Sequence, residues 1–308
     1  MNKVQSIGAD IGRGYAKGYT IIDGVEKSCN FKSVVALGRE MDFENYEDPI
    51  YIDSVIDGKE YNKIFMGILA EEEGYATVRN SKDSKVTDTA KKLLSGVIGD
   101  LAETEEINLM LGVPNREFKK STLNEIKEEF EGKTIVVKNR IDGKMKKIKI
   151  VNVSIFRESD AALLYQISKH KLNNNNDNVM VNVGFRTTEI SFYDNNLKYN
   201  DKKSLSLELG NKTVLEYVQN IHGKRTLEEI DSSSRYDELK KEGYKALAEN
   251  LEQTVESMLV NLDEINLYIA GGVSKNLEVS DMFIRTEDPQ MITAKGLYMI
   301  AERKFGGM

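Results

Sequence analysis

Residues 10–17, Asp-Ile-Gly-Arg-Gly-Tyr-Ala-Lys, combine an acid, two glycines and a base in the spacing of a tight turn between two strands. Gly12 and Gly14 let the backbone approach an anion without an intervening Cβ, so successive N–H groups can form a concave anion-binding turn. Lys17 can reach the same phosphates, and Asp10 can hold Mg²⁺ through its waters. A plain glycine hairpin in which Asp10 caps its own turn would use the same residues, so the motif alone is weak.

The same strand–turn–strand pattern recurs in the second half of the chain. Residues 182–188 read Asn-Val-Gly-Phe-Arg-Thr-Thr and continue the apolar run 179–183. Another hairpin without a ligand is again the alternative. A third glycine turn, Gly271-Gly272 with Asn276 shortly after, follows the predicted strand 265–270. Glycines at a strand end would let a flat ring lie against the backbone, and an ordinary strand-to-helix turn is the alternative.

An acidic segment begins a predicted helix in the middle of the chain. Residues 157–162 read Arg-Glu-Ser-Asp-Ala-Ala and follow a predicted strand. In the simplest interpretation, Glu158 or Asp160 caps the helix or interacts favourably with its dipole. In the functional interpretation, one of these carboxylates points across a cleft at an attacking water.

Short strands and amphipathic helices must position these residues. The first half predicts a strand meander around the first turn, in which strand 15–22 follows the turn and strand 25–31 comes next. An irregular stretch then leads to strand 60–66, and helix 87–101 and the buried strand 107–113 follow. The second half repeats this order, with strand 188–193 after the second turn, strand 198–209 continuing the meander and a long helix at 236–262 before strand 265–270. The polar run 173–178 is expected to be a loop, and a closing helix is expected at 293–303. The repetition predicts an α/β protein of two similar lobes with a ligand cleft between them.

Composition excludes several classes of function. The 308 residues correspond to about two average domains. A net charge of −7, from 43 basic and 50 acidic residues, argues against a chain that wraps nucleic acid directly. Because Cys29 is the only cysteine in the sequence, an internal disulfide is excluded. With only two histidines, His170 and His222, the sequence has no credible zinc site. We expect a cytoplasmic protein without a membrane segment, because no long apolar run occurs.

Taken in order, these motifs resemble the actin superfamily, which also includes heat-shock chaperones and sugar kinases. Residues 10–18 resemble the actin pattern Asp-x-Gly-x-Gly-x-x-Lys-x-Gly. Residues 288–296, Asp-Pro-Gln-Met-Ile-Thr-Ala-Lys-Gly, are similar to the closing helix of ParM-like plasmid-segregation actins, and residues 184–188 resemble their second phosphate loop. The resemblance implies duplicated ribonuclease H-like lobes with a nucleotide cleft. Lobe I would span 1–153, with helix 290–308 returning to it, and lobe II would span 154–289.

The resemblance also implies roles for individual residues. Asp10 would orient the waters of Mg²⁺, Lys17 would neutralise phosphate charge, and Glu158 would position the hydrolytic water. Phosphate contacts would come from Gly12, Arg13, Gly14, Asn182, Gly184, Phe185, Arg186 and Thr187. Ribose and base would be contacted by Gly210, Asn211, Lys212, Gly271, Gly272, Val273 and Asn276.

Two residues depart from the family pattern. Asn182 stands where the second phosphate loop usually has aspartate, and a neutral amide can hydrogen-bond a metal-bound water without adding charge. Mg²⁺ handling or hydrolysis would then be weaker. Arg13 replaces a small hydroxyl residue, and it either reaches the phosphates or points into solvent, of which we favour solvent.

The implied function is an ATPase that binds Mg-nucleotide between its lobes and polymerises into dynamic filaments for plasmid DNA segregation. Its partners would be further copies of itself and a DNA-binding adaptor of the ParR type, with no direct contact to nucleic acid or membrane. GTP is an alternative to ATP. A sugar-type kinase with Asp160 as its base is an alternative function, as is an MreB- or FtsA-like cytoskeletal or division protein. We consider the MreB- or FtsA-like alternative less favoured, because we see no terminal amphipathic anchor.

Overall fold

The computed structural model describes residues 4–169 and 175–306 of the chain. Its strands are β1 (Gln5–Ile11), β2 (Tyr15–Ile22), β3 (Val25–Lys32), β4 (Val34–Leu37), β5 (Ile50–Ile56), β6 (Lys59–Met66), β7 (Tyr75–Arg79), β8 (Glu106–Val113), β9 (Thr134–Asn139), β10 (Met145–Arg157), β11 (Asp177–Val183), β12 (Thr188–Tyr193), β13 (Leu205–Leu207), β14 (Ile265–Ala270) and β15 (Ile284–Arg285). Its α-helices are α1 (Ile68–Glu73), α2 (Asp88–Leu101), α3 (Lys120–Phe130), α4 (Glu158–Lys169), α5 (Asn211–His222), α6 (Leu227–Ser232), α7 (Asp237–Met258) and α8 (Ile292–Phe305). His170 lies outside the described residues.

The chain divides into two compact units. Unit 1 comprises Met1–Ala161 and Thr293–Met308, and unit 2 comprises Ala162–Ile292. The central part of the unit 1 sheet has the strand order β3-β2-β1-β8-β10. Strands β1, β2 and β3 are antiparallel to one another, whereas β1, β8 and β10 are parallel. Beyond β10 the sheet continues with the antiparallel strands β9-β5-β6-β4-β7.

The sheet of unit 2 has the same design with fewer strands. Its order is β13-β12-β11-β14-β15, and the directions match those of the central unit 1 strands one by one. The duplicated architecture predicted from the sequence is therefore confirmed. In each unit a glycine turn joins the central strand to its antiparallel neighbour.

Local sequence explains why the meander and the first long helix form. Asp23 and Gly24 both have positive φ values, 50° and 81°, as a tight turn between the antiparallel strands β2 and β3 requires. The side chain of Thr87 accepts a hydrogen bond from the backbone N–H of Ala90 at 3.2 Å and so caps the start of α2.

Apolar packing fixes the central strand of unit 1 between two helices. One face of β1, with Ile7 and Ile11, packs with α2 residues such as Leu93 in the largest core cluster. On the opposite face, Gly8 lies so close to α8 that a Cβ would overlap backbone atoms of Ala294 and Tyr298. The absence of a side chain at Gly8 therefore lets α8 pack directly on β1.

Several elements differ from the sequence prediction. The segment between β3 and β6, expected to be irregular, contains β4 and β5, and α1, β7, α6 and β15 were not predicted. The helix expected at 236–262 is α7, Asp237–Met258, which is shorter at both ends. The strand expected at 198–209 is reduced to the three residues of β13. A polar loop was expected at 173–178, of which residues 173 and 174 lie outside the described residues.

Among the described residues, no helix has both the length and the apolar character needed to cross a bilayer.

The close packing of α8 on β1 gives a stability prediction. Gly8→Ala is expected to lower the free energy of unfolding by about 1–3 kcal/mol, because the new methyl group overlaps the backbone of α8. Ser28→Ala, at an exposed position of β3, is the control and should stay within about 0.5 kcal/mol of the unsubstituted chain. Urea denaturation followed by circular dichroism measures both. Equal stability of the two variants would contradict this packing.

Candidate functional site

The first glycine turn places an acid and a base side by side at the end of β1. The backbone N–H of Gly12 donates to the carbonyl of Tyr15 at 3.1 Å, which closes the turn. Asp10 then lies directly opposite Lys17 in the antiparallel ladder, so both side chains share one face of the sheet. The Lys17 ammonium donates to Oδ2 of Asp10 at 2.7 Å, and Asp10 is only 4% exposed. The turn thus holds a buried, charge-paired carboxylate.

The other oxygen of Asp10 is suited to a water bound to a metal ion. Oδ1 is buried and has no hydrogen-bond partner among the described residues. The neighbouring backbone N–H groups of Arg13 and Gly14 likewise have no acceptor within the described part of the chain. A buried acceptor beside two donors fits a hydrated cation together with an anion. These residues therefore fit Mg²⁺ held through phosphates and waters.

Direct coordination of a metal ion by the protein would require a cluster of several ligating side chains. Within residues 4–169 and 175–306, no group of three or more His, Cys, Asp or Glu side chains could hold a metal ion. Mg²⁺ commonly binds with few protein ligands and several retained waters, so a single carboxylate is sufficient for the arrangement above.

The structure corrects our expectation for Arg13. Its guanidinium does not point into solvent but pairs with Asp83, with Nη2 at 2.6 Å from Oδ1. Asp83 also pairs with Arg116. Burial alone would raise the pKa of Asp83, but hydrogen bonds from Arg116 and Arg13 lower it below its usual value. The side chain of Asn80 donates to the carbonyl of Gly12 at 3.1 Å. Two contacts with residues outside the turn therefore hold it, from Asp83 to Arg13 and from Asn80 to Gly12.

Lys85 belongs to this site, although the sequence analysis did not single it out. Lys85 is 5% exposed, and its ammonium donates to the carbonyl of Ile11 at 2.9 Å and to Oε1 of Glu158 at 3.2 Å. It therefore connects the end of β1 to the candidate water-positioning carboxylate at the start of α4. Gly112 leaves the space for Glu158, because a Cβ there would lie 2.9 Å from Cγ of Glu158. No motif surrounds Lys85, so its burial could not be predicted from spacing.

Asp160, the candidate base of the kinase alternative, is fully buried. It forms an ion pair at 2.5 Å with Arg157, the last residue of β10. A carboxylate in this pairing is held by a fixed cation and is poorly placed to accept a proton from a substrate hydroxyl.

In unit 2, the second turn reproduces the backbone geometry of the first. The N–H of Gly184 donates to the carbonyl of Thr187 at 2.9 Å, as Gly12 does to Tyr15. Asn182 lies opposite Glu189 in the ladder. The guanidinium of Arg186 pairs with Glu208 at 2.8 Å at the surface.

The start of α5 is joined to the second turn through backbone hydrogen bonds. The N–H groups of Asn211 and Lys212 donate to the carbonyls of Gly184 and Phe185 at 3.2 and 2.7 Å. A Cβ at Gly210 would overlap the backbone of this turn, so glycine is required there.

The side chain of Asn211 is engaged within unit 2. Its amide nitrogen donates to Asp231 at 3.1 Å, and its oxygen accepts from the hydroxyl of Tyr244 at 2.7 Å. In this structure Asn211 therefore positions α5, and contact with a ribose or base would require its partners to change. Lys212 pairs with Glu216 on the surface of the same helix.

The third glycine turn is a compact backbone structure after β14. Gly271 has a φ of 92°, and its N–H donates to the carbonyl of Pro289 at 3.0 Å. A Cβ at Gly272 would overlap the side-chain amide of Gln290, whereas Val273 is buried in the unit 2 core. Asn276 is exposed at the far end of the short 3₁₀ helix Gly272–Asn276.

The predicted site residues thus form one group in each unit. In unit 1, the turn 12–14 lies next to Asp10 and Lys17, and Lys85 links the strand end to Glu158. In unit 2, Gly210 and the first residues of α5 contact the turn that follows Asn182. The side chains of Arg13 and Arg186 are both occupied by acidic partners.

The comparisons with known proteins agree with this architecture. Residues 8–159 match the family model described as the N-terminal domain of actin-like proteins. No curated protein sequence matches the chain. Solved structures match nearly its whole length. The pCBH ParM non-polymerisable quadruple mutant has a TM-score of 0.81 at 19% identity, with 98% of this chain and 100% of that chain covered.

Two further solved structures match this chain with similar TM-scores, identities and coverages. A 15-stranded ParM filament from Clostridium botulinum has a TM-score of 0.79 at 19% identity, covering 98% of this chain and 100% of that one. An archaeal actin homologue in complex with ADP has a TM-score of 0.75 at 19% identity, covering 97% and 100%.

The chain therefore has the actin-like fold, as the motifs predicted. Residues 8–159 match the family of actin-like N-terminal domains, and the predicted resemblance to ParM-like actins is confirmed at the level of the fold.

The buried contact between Lys85 and Glu158 can be tested without any ligand. Lys85→Met is expected to lower the free energy of unfolding by about 2–3 kcal/mol, because it leaves a partly buried carboxylate without its cation. In a double-mutant cycle with Glu158→Gln, the two substitutions should show a coupling energy of about 1–2 kcal/mol. The exposed pair Lys241 and Glu238, which forms a similar ion pair at 2.8 Å, should show no measurable coupling. Additive effects of Lys85→Met and Glu158→Gln in urea denaturation would contradict the contact.

Proposed function

We propose that this chain is a nucleoside triphosphatase that binds Mg-ATP with the glycine turns of its two units and assembles into dynamic filaments. One observation carries the proposal: the buried Oδ1 of Asp10 has no partner among the described residues and lies at a turn with two N–H groups that also have none. A polyphosphate with its hydrated Mg²⁺ supplies the acceptors and the donor that these groups need.

Phosphoryl transfer to water depends mainly on positioning and charge stabilisation. Bound Mg²⁺ would neutralise charge that develops on the phosphates, and Asp10 would hold it through a water. Lys17 would add a fixed positive charge beside the turn, where its ion pair with Asp10 already places it. Glu158 would orient the attacking water, with Lys85 fixing the direction of its carboxylate.

The residues of unit 2 would hold the rest of the nucleotide. The turn 184–187 would donate backbone N–H groups to the phosphates, in the way that the first turn does. The glycine turn Gly271-Gly272 would border the base, because glycine has no side chain of its own to separate the backbone from a flat ring. Nothing in Gly271–Val273 selects adenine over guanine, so GTP is the alternative substrate.

The comparisons support assembly and nucleotide binding. One structural relative is a ParM filament, and another is a complex with ADP. Head-to-tail contacts between copies of one chain generate helical filaments when their rotation does not close a ring. We infer that this chain forms such contacts with itself in the cytoplasm.

Plasmid DNA segregation is the cellular role that we propose for the filament. A net charge of −7 makes direct binding of the monomer to DNA unfavourable. A DNA-binding adaptor of the ParR type would therefore connect the filament to its cargo.

The catalytic assignment can be tested with Glu158→Gln. This substitution keeps the size of the side chain but removes the charge that orients water, so phosphate release should fall about 100-fold. ATP-dependent pelleting should persist, because the phosphate-binding turn is unchanged. Glu125→Gln, at an exposed position of α3, is the matched control and should behave like the unsubstituted chain.

Three outcomes would contradict this proposal. Undiminished phosphate release by Glu158→Gln would move catalysis to another residue. A lack of ATP-dependent pelleting by the unsubstituted chain would contradict filament assembly. Release that depends on an added sugar acceptor would favour the kinase alternative.

A further inference from the structure

The end of β8 lies between the two parts of the candidate site in unit 1. Strand β8 is the neighbour of both β1 and β10, and all three are parallel. The register pairs Leu111 of β8 with Ala9 of β1. It also pairs Val113, the last residue of β8, with Arg157, the last residue of β10. The three strands therefore end at one edge of the sheet, with the first glycine turn after β1 and Glu158 after β10.

The gap above the end of β8 has the size of one phosphate group. Neighbouring strands of a sheet are about 5 Å apart, so β1 and β10 are separated by about 10 Å. Lys85 spans this gap, because its ammonium donates both to the carbonyl of Ile11, at the end of β1, and to Glu158. The first glycine turn and the candidate water-positioning carboxylate are thus linked across the end of β8 by a single side chain.

Asn115, two residues after the end of β8, is anchored to the start of α4. The hydroxyl of Ser159, the residue that follows Glu158, donates to Oδ1 of Asn115 at 3.3 Å. This hydrogen bond engages the oxygen end of the amide group. The nitrogen end, Nδ2, is buried and has no hydrogen-bond partner among residues 4–169 and 175–306. Asn115 therefore holds a fixed and unused donor at the edge where β1, β8 and β10 end.

The chemistry of this donor limits what it can bind. The amide nitrogen of asparagine only donates hydrogen bonds, so its ligand must supply an acceptor. Ionised acceptors form shorter and stronger hydrogen bonds than neutral ones, and a phosphate oxygen is such an acceptor. A buried donor without an acceptor is also unfavourable for the protein alone, and a bound anion removes that cost.

The position of Asn115 selects one phosphate of the nucleotide. In phosphoryl transfer to water, the attacking and leaving oxygens are roughly in line on either side of the transferred group. The first glycine turn would hold the phosphates on the β1 side, and Glu158 would place the water on the β10 side. The terminal phosphate would then lie between them, above the end of β8, where Nδ2 of Asn115 has no partner in the described chain.

We propose that Asn115 binds the terminal phosphate of a nucleoside triphosphate, with Nδ2 donating to one of its non-bridging oxygens. This inference rests on the proposed nucleotide binding. It makes Asn115 a residue that distinguishes a triphosphate from a diphosphate, because a diphosphate has no group at this position. Ser159 is then a positioning residue that fixes the direction of the amide.

Isothermal titration calorimetry with the full chain tests the inference, in MgCl₂ and at a protein concentration that gives no pellet. It compares the affinities for a non-hydrolysable ATP analogue and for ADP. Asn115→Ala should weaken binding of the analogue about tenfold, as expected for the loss of one hydrogen bond to a charged group, and should change ADP binding by less than about twofold. Asn62→Ala is the matched control and should leave both affinities unchanged, because the amide of Asn62 is exposed on β6 and donates to Glu60.

A second variant keeps the hydrogen bond from Ser159. Asn115→Asp has nearly the same size and retains an acceptor for that hydroxyl, but it replaces the donor with an anionic oxygen. It should weaken binding of the analogue at least as much as Asn115→Ala does, and binding of ADP much less. If Asn115→Ala does not fold, this variant decides the question by the same comparison.

The outcomes separate this inference from the proposed function. Equal losses of affinity for the analogue and for ADP would mean a merely structural role and would overturn the assignment of Asn115. An unchanged affinity for the analogue would overturn it as well. In both cases nucleotide binding by the unsubstituted chain would remain intact. If the unsubstituted chain binds neither nucleotide, the inference and the proposed function both fail.

Discussion

One backbone hydrogen bond in each unit, from a glycine N–H to a carbonyl three residues later, determines which side chains meet at the end of the central strand. In unit 1 this bond joins Gly12 to Tyr15 and places Asp10 opposite Lys17. A turn one residue longer would shift the register and move the side chains of the returning strand to the other face. The length of the turn therefore determines whether the acid–base pair forms and is buried. It also determines where the backbone N–H groups of Arg13 and Gly14 point.

Around this turn, several charged groups of unit 1 have partners of opposite sign. Lys17 neutralises Asp10, Lys85 neutralises Glu158, and Asp83 is shared by two arginines. Such compensation allows several ionised groups to be buried close together, because an isolated buried charge is far more costly than a paired one. The exception is one oxygen of Asp10, which has no partner in the described chain and is suited to a ligand.

Strong periodic patterns made much of the fold predictable. The strands β2, β12 and β14 were predicted with their observed bounds, because each is a short run of strand-forming residues ended by a glycine or asparagine turn. The antiparallel extension of unit 1 was largely missed. Its edge strand β7 has no buried alternation, so its pairing with β4 is a tertiary effect. Lys85 was missed because its partner Glu158 is 73 positions away in the sequence.

The central claim is that the turn after β1 holds the phosphates together with Mg²⁺ through the buried Asp10. Isothermal titration calorimetry of ATP binding to the unsubstituted chain and to Asp10→Asn, with and without MgCl₂, tests it most directly. We predict that Mg²⁺ strengthens ATP binding to the unsubstituted chain, and that Asp10→Asn loses this gain while its weaker Mg²⁺-free binding is kept. The same gain in both proteins would contradict the claim.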